Sequence, residues 1–142
     1  MTRIDFYFNV EDKFSQVARL AEMALPRERR LHIFIDGAAS ATRLESALWS
    51  QTPTSFMPHC RSDHPLAQET PIVIDWEGKA LMHDDILINL TPSHPVFFSR
   101  FRGLIELVGM DDADRSAARA RFRFYRDRGY EIKSHDVTGS GS

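Results

Sequence analysis

Six arginines crowd one short stretch of the chain: Arg115, Arg119, Arg121, Arg123, Arg126 and Arg128. One carboxylate, Asp127, lies among them, so the local balance is +5 in a chain of net charge −2. Arg115, Arg119 and Arg123 recur at i, i+4 and i+8, with Arg126 a turn further on, and so share one helix face. Ala118, Phe122 and Tyr125 fall on a neighbouring face and are expected to anchor the helix. Guanidinium groups at the rim of an aromatic surface suit an acidic ligand with an apolar or aromatic end, because the arginine fork binds carboxylates bidentately. A solvated basic helix face gives the same pattern, and composition alone does not separate the two.

Other groups offer less. His59, Cys60 and His64 place three possible metal ligands within six residues. No fourth His or Cys stands at a recognisable spacing, and no paired-cysteine motif is present, so they read as ordinary loop residues. Asp84 and Asp85, after His83, are adjacent carboxylates of the kind a hydrolase uses, but they read as a polar strand entrance. Cys60 has His59 beside it, and sequence neighbours seldom reach the geometry that activates a thiol. The seven glycines do not cluster, and the turn Asn9-Val-Glu-Asp12 carries two acids and no glycine. Such a turn repels a phosphate rather than cradling it. No catalytic, cofactor or metal site is expected.

The elements that must carry these residues alternate. Ile4 to Val10 is apolar and aromatic, as in a strand buried on both faces. Phe14, Val17, Leu20, Ala21 and Ala24 predict a helix to about Leu25, ended by Pro26. Leu31 to Asp36 is a second strand, with Gly37 as its turn, and Ser40 opens a second helix carrying Leu44, Ala47 and Leu48 on one face. Residues 50–70 read as an irregular polar loop. Pro71 to Trp76 and Asp85 to Leu90 are strands separated by a turn or hairpin tip at Glu77-Gly78-Lys79. Val96 to Val108 fits a short helix or a strand joined to one. Asp111 to Arg128 is the clearest helix, with Asp111, Asp112 and Asp114 at its start and Gly129 as its stop. Tyr130 to Val137 alternates like an edge strand. The pattern predicts an α/β fold: a single Rossmann-like domain over residues 1–137, with a mostly parallel sheet flanked by helices and no glycine-rich nucleotide loop. Residues 138–142 are a Gly/Ser-rich tail expected to fray.

At 142 residues, with 42 % hydrophobic and 27 % charged residues, the composition is that of a folded, soluble chain. No apolar run approaches the ~20 residues of a membrane helix, and the start lacks a signal-peptide core. One cysteine permits no internal disulfide, so a cytoplasmic setting is expected. The acidic balance argues against a whole-protein nucleic-acid binder.

Four blocks, in order, carry a resemblance: Asp5-Phe-Tyr-Phe8, Ala47-Leu-Trp-Ser-Gln-Thr-Pro-Thr-Ser-Phe-Met-Pro-His59, Asp85-Ile-Leu-Ile-Asn-Leu90 and Arg119-Ala-Arg-Phe-Arg-Phe-Tyr-Arg-Asp-Arg-Gly-Tyr130. From about residue 3 to residue 133 the chain resembles the chi subunit of bacterial DNA polymerase III, a small accessory protein of the clamp-loader assembly in DNA replication. The resemblance implies no enzymatic activity of its own and no cofactor. It implies two partners, the psi subunit and the acidic C-terminal tail of single-stranded DNA-binding protein, which ends in aspartates and Ile-Pro-Phe.

By position in the motif, Arg119 matches the family's tail-binding arginine, Phe122 its aromatic, commonly tyrosine, and Arg123 its basic residue, commonly lysine. Arg115 and Val108 match less specific segments; the tail's terminal phenylalanine is expected to enter an apolar recess beside Phe122, with Val108 as a wall. Phenylalanine at 122 removes a hydroxyl donor, so packing is expected there in place of hydrogen bonding. Arginine at 123 keeps the charge and changes its geometry. For psi, the family uses the loop after the second helix, where Phe56, Met57 and Pro58 are apolar residues in a polar segment. Trp49, just upstream, is expected in the core. The alternative function is direct single-stranded nucleic-acid binding by the same helix, with Phe122, Phe124 or Tyr125 stacking on bases.

Overall fold

The computed structural model of the chain describes residues 2–51, 59–61, 70–79, 81 and 83–137. Seven strands run β1 (Arg3–Phe8), β2 (Leu31–Phe34), β3 (His59–Arg61), β4 (Ile72–Asp75), β5 (Ile86–Asn89), β6 (Gly103–Leu107) and β7 (Ile132–Asp136). They form one sheet in the order β3-β4-β2-β5-β6-β1-β7. Every neighbouring pair is parallel, as the alternating pattern predicts.

Three helices cover the sheet among the described residues: α1 (Lys13–Ala24), α2 (Ala38–Gln51) and α3 (Asp112–Asp127). Val17, Ala21, Leu44 and Leu48 pack from α1 and α2 against Ile33, Ile72, Ile74 and Ile88 on one face. Ala118 and Tyr125 pack from α3 against Ile4, Phe6, Leu87 and Leu104 on the other. Alternate strand residues serve opposite faces, so Phe6 turns toward α3 while Tyr7 packs against the cluster under α1 and α2. Each fully buried Leu or Ile contributes roughly 1.5–3 kcal/mol.

Local chemistry sets the ends of α1. The Asp12 carboxylate accepts from the amides of Phe14 (3.1 Å) and Ser15 (3.4 Å), capping its N-terminus. The amides a phosphate would use are thus met by the chain's own acid. Pro26 lies inside a single 3-10 turn, Leu25–Arg27, closed by Glu28 in the left-handed region at φ 57°.

Three expectations are corrected. β3 falls within the stretch read as irregular, because its pairing with β4 and not its His-Cys-Arg sequence makes it a strand. β4 and β5 do not form a hairpin; both lie parallel on either side of β2. The turn between them is instead held by Asp75, whose carboxylate accepts from the amides of Glu77 (3.0 Å) and Gly78 (3.1 Å). Gly78, at φ 70°, passes so close to the Phe97 ring that a Cβ would stand 2.8 Å from it. β1 also ends sooner than expected, at Phe8, because Asn9 turns left-handed at φ 62°. The open choice over 96–108 resolves into a 3-10 turn, Phe98–Arg100, followed by β6. The expected tail 138–142 lies outside the described residues.

The entrance to β5 is acid-sensitive. The His83 Nδ1 accepts from the Asp85 amide at 3.1 Å, which requires a neutral ring edge. Burial, then the nearby Arg30 guanidinium, pushes the His83 pKa down to about 4. A depressed folded value means that the unfolded chain takes up the proton first. The His83 contribution to stability is therefore expected to be intact above about pH 6.5 and to fall as pH drops toward 4. A loss of about 1–3 kcal/mol is expected across that window. Urea unfolding at pH 7 and pH 4.5, beside His83→Gln, checks it; an equal loss in the variant refutes the assignment.

Candidate protein-docking surface

α3 presents the arginine cluster. Its N-cap, Asp111, accepts from the Asp114 amide at 2.7 Å, and Asp112 and Asp114 place negative charge in the first turn. Gly129, at φ 85°, stops it, with its amide bonded to the Arg126 carbonyl. Ala118, Arg121 and Tyr125 are its buried residues, spaced i, i+3, i+7. That phase turns Arg119 and Arg123 outward, where both are exposed and without an ion-pair partner among the described residues.

Phe122, on the adjoining face, is half-buried, its ring 5.4 Å from that of Phe6. Arg115 lies one turn before Arg119, and its Nη2 donates to Asn9 Oδ1 at 3.0 Å. Asn9 in turn donates to Asp136 at the end of β7 (3.0 Å). Val108 is 5 % exposed, in the same apolar cluster that Phe122 packs against. The structure therefore brings Arg115, Arg119 and Arg123 along one helix face, with Phe122 on the adjoining one and Val108 in the core beneath. Asn9 and Asp136 escaped the sequence reading, since their approach depends on β1 and β7 being neighbours.

Arg121 corrects the charge count. It points inward, 3 % exposed, and its Nε donates to Glu106 Oε1 at 3.0 Å while Nη1 meets the Pro92 carbonyl at 2.7 Å. Tyr125 Oη donates to Glu106 Oε2 at 2.6 Å, and Asn89 Nδ2 donates to the same carboxylate at 3.1 Å. Burial pushes the Glu106 carboxyl up, against the pull of Arg121 and these hydrogen bonds. Tyr125 is fully buried and so is not available to stack on a base. Phe124 is engaged as well, with the His94 ring stacked at 3.5 Å and the Arg128 guanidinium 3.7 Å from its centre.

The remaining candidates are structural or lie outside the described residues. Asp85 binds Arg29 through two contacts, 3.1 and 2.6 Å, and accepts from the Arg30 amide at 2.9 Å. Burial alone would raise its carboxyl, but those bonds hold it below the usual range. Among the described residues no three potential metal ligands come together. His64, Phe56, Met57 and Pro58 lie outside the described residues, as do the side chains of Trp49, His59 and Cys60. No described helix is long and apolar enough to cross a membrane.

Sheet, helices and site together define a parallel α/β protein of Rossmann type in which a carboxylate caps α1 and a basic helix faces solvent. Solved structures agree on the fold. The C-terminal domain of the DEAD-box protein Dbp5 matches with a TM-score of 0.66 at 12 % identity, over 99 % of this chain and 93 % of that one. Dbp5 of S. cerevisiae, bound to RNA and ADP BeF3, matches with a TM-score of 0.67 at 13 % identity, over 98 % of this chain and 43 % of that one. The sequence comparisons give the family. The model of the DNA polymerase III chi subunit, HolC, matches residues 1–133, and the chain belongs to that family. DNA polymerase III subunit chi of Pseudomonas aeruginosa is 34 % identical, over 95 % of this chain and 96 % of its own. The Haemophilus influenzae protein is 34 % identical over 77 % of this chain and 76 % of its own, and that of Escherichia coli 31 % over 87 % of each.

Proposed function

We propose that this chi-family chain is a non-catalytic adaptor that links the psi subunit to the acidic C-terminal tail of single-stranded DNA-binding protein. The observation that carries this reading is the outward pair Arg119 and Arg123 on the helix face next to half-buried Phe122. Two unpaired guanidinium groups can meet aspartates and a terminal carboxylate, while the Phe122–Phe6 surface takes the tail's terminal phenylalanine. Tyr125 and Phe124 are already engaged, which favours a peptide over stacked bases.

A fluorescence-anisotropy titration with an acidic peptide ending Asp-Ile-Pro-Phe tests the reading. Binding is expected to be saturable and weaker at higher salt, because the charge pairs are exposed. Arg119→Ala is expected to weaken it roughly 5–30-fold, the range for loss of a charged interface anchor of about 1–2 kcal/mol. No binding by folded wild type would overturn the assignment.

The same reading assigns the psi contact to Phe56, Met57 and Pro58, on the strength of the family resemblance of that loop. Phe56→Ala is expected to weaken capture of psi at least several-fold and to leave tail binding alone. An unchanged psi affinity removes Phe56 from that interface.

A further inference from the structure

The α1-side face of the sheet is left partly open. α1 and α2 pack over its β2 side, and α3 lies on the opposite face. At the amino ends of β1, β5 and β6, beside the carboxyl end of α1, this leaves a recess of about 480 Å³. Its floor is apolar: Leu20 and Ala24 from α1 and Ile105 from β6. Met23, 55 % exposed, stands at its edge.

Four arginines line this recess: Arg3, Arg27, Arg29 and Arg102. They come from separate elements brought close by the backbone. The Arg3 amide donates to the Arg102 carbonyl at 2.9 Å, and the Arg29 amide donates to the Ala24 carbonyl at 3.1 Å. Arg29 is engaged by Asp85. Arg3, Arg27 and Arg102 are exposed and have no ion-pair partner among the described residues. The lining carboxylate, Asp5, is held by His135 Nε2 at 2.9 Å. Three exposed cations without an ion-pair partner among the described residues, beside aliphatic side chains, complement carboxylates carried next to an apolar side chain.

The same geometry disfavours a nucleic-acid strand. Binding of single strands uses free aromatic faces as stacking platforms. Tyr7, the aromatic residue of this recess, is stacked by His135, with ring centres 4.5 Å apart.

The geometry points to a second docking site for an acidic peptide segment of a protein partner, with an apolar side chain seated between α1 and β6. It is separate from the α3 surface: Phe6 and Tyr7, consecutive in β1, serve the two faces. The chain would then hold two acidic segments at once, back to back.

The test uses the folded, full chain carrying Arg119→Ala, so that a signal at the recess is read without the α3 site. Amide NMR shifts are followed on titration with the acetylated hexapeptide Asp-Glu-Leu-Asp-Glu-Asp. Saturable shifts of Tyr7, Met23 and Ile105 are expected, with affinity lowered about tenfold by Arg27→Glu plus Arg102→Glu, two exposed charge reversals. Unchanged spectra elsewhere verify the fold of the charge-reversed chain. Absence of those shifts, or equal binding by the charge-reversed chain, overturns the proposal. Tighter binding of an oligothymidylate at the same amides overturns the choice of a peptide. Because the readout lies at Tyr7, Met23 and Ile105, failure here leaves the α3 result untouched.

Discussion

Arg121→Ala is expected to lower the unfolding free energy by about 3–5 kcal/mol, the usual cost of breaking a buried ion pair from one side. The reason is what remains. Glu106 is fully buried and would keep Tyr125 and Asn89 as partners while losing the cation that balances its charge. The Pro92 carbonyl would lose its donor too. In a domain of this size such a loss is a fall in Tm of about 10–15 °C, read by calorimetry at pH 7. Arg121→Met combined with Glu106→Leu removes both charges but is expected to recover only part of it, since the buried Tyr125 hydroxyl and Asn89 amide lose their shared acceptor. A single variant within about 1 kcal/mol of wild type would show that the pair contributes little to holding α3. The same measurement bears on the docking face. Arg121 and Tyr125 fix the rotation of α3, and that rotation sets where Arg119 and Arg123 point.

Asp75→Ala is expected to cost about 2–4 kcal/mol. Its carboxylate is 1 % exposed and serves the His32 Nε2 at 2.9 Å as well as the Glu77 and Gly78 amides. His32 is itself fully buried, with Phe101 5.5 Å from its ring. Truncation leaves a buried ring nitrogen and two turn amides without an acceptor, each costing about 1–3 kcal/mol when dry. Water entering the turn recovers part of that for the amides, which keeps the sum near the lower figure for the set. Urea unfolding of Asp75→Ala beside Asp75→Asn separates the charge from the hydrogen bonds. Equal stability of Asp75→Ala and wild type would refute this account.

Much of the fold is legible because its strands are short apolar runs between strong punctuation. Leu31 to Phe34 and Ile86 to Asn89 are buried on both faces, so they read as continuous hydrophobic segments, and both are strands. β3 was not legible, since three residues of mixed character become a strand only by pairing with Ile72, Val73 and Ile74. The β4–β5 turn misled for a related reason: Gly78 signals a tight turn but not where the next strand goes. In α3, the 3.6-residue period locates Arg119 and Arg123 correctly. The +5 charge balance, by contrast, takes in Arg121 with the other five arginines. The spacing Ala118, Arg121, Tyr125 carried the inward signal, but an arginine there needs a buried acid, and Glu106 lies on another strand. A charge run gives the amount of charge on a helix, while the partner decides which member is internal.

The position of β1 has a consequence for the order in which the protein is made. Residues 3–8 pair with residues 103–107 on one side and 132–136 on the other. On the ribosome β1 precedes both of its neighbours, which are joined roughly a hundred residues later. Until then Ile4, Phe6 and Phe8 lack the strands that flank them in the finished sheet. Closure between sequence-distant strands is slow, and it comes last here. Synthesis rate and chaperone supply are therefore expected to influence how much of this chain reaches its native state.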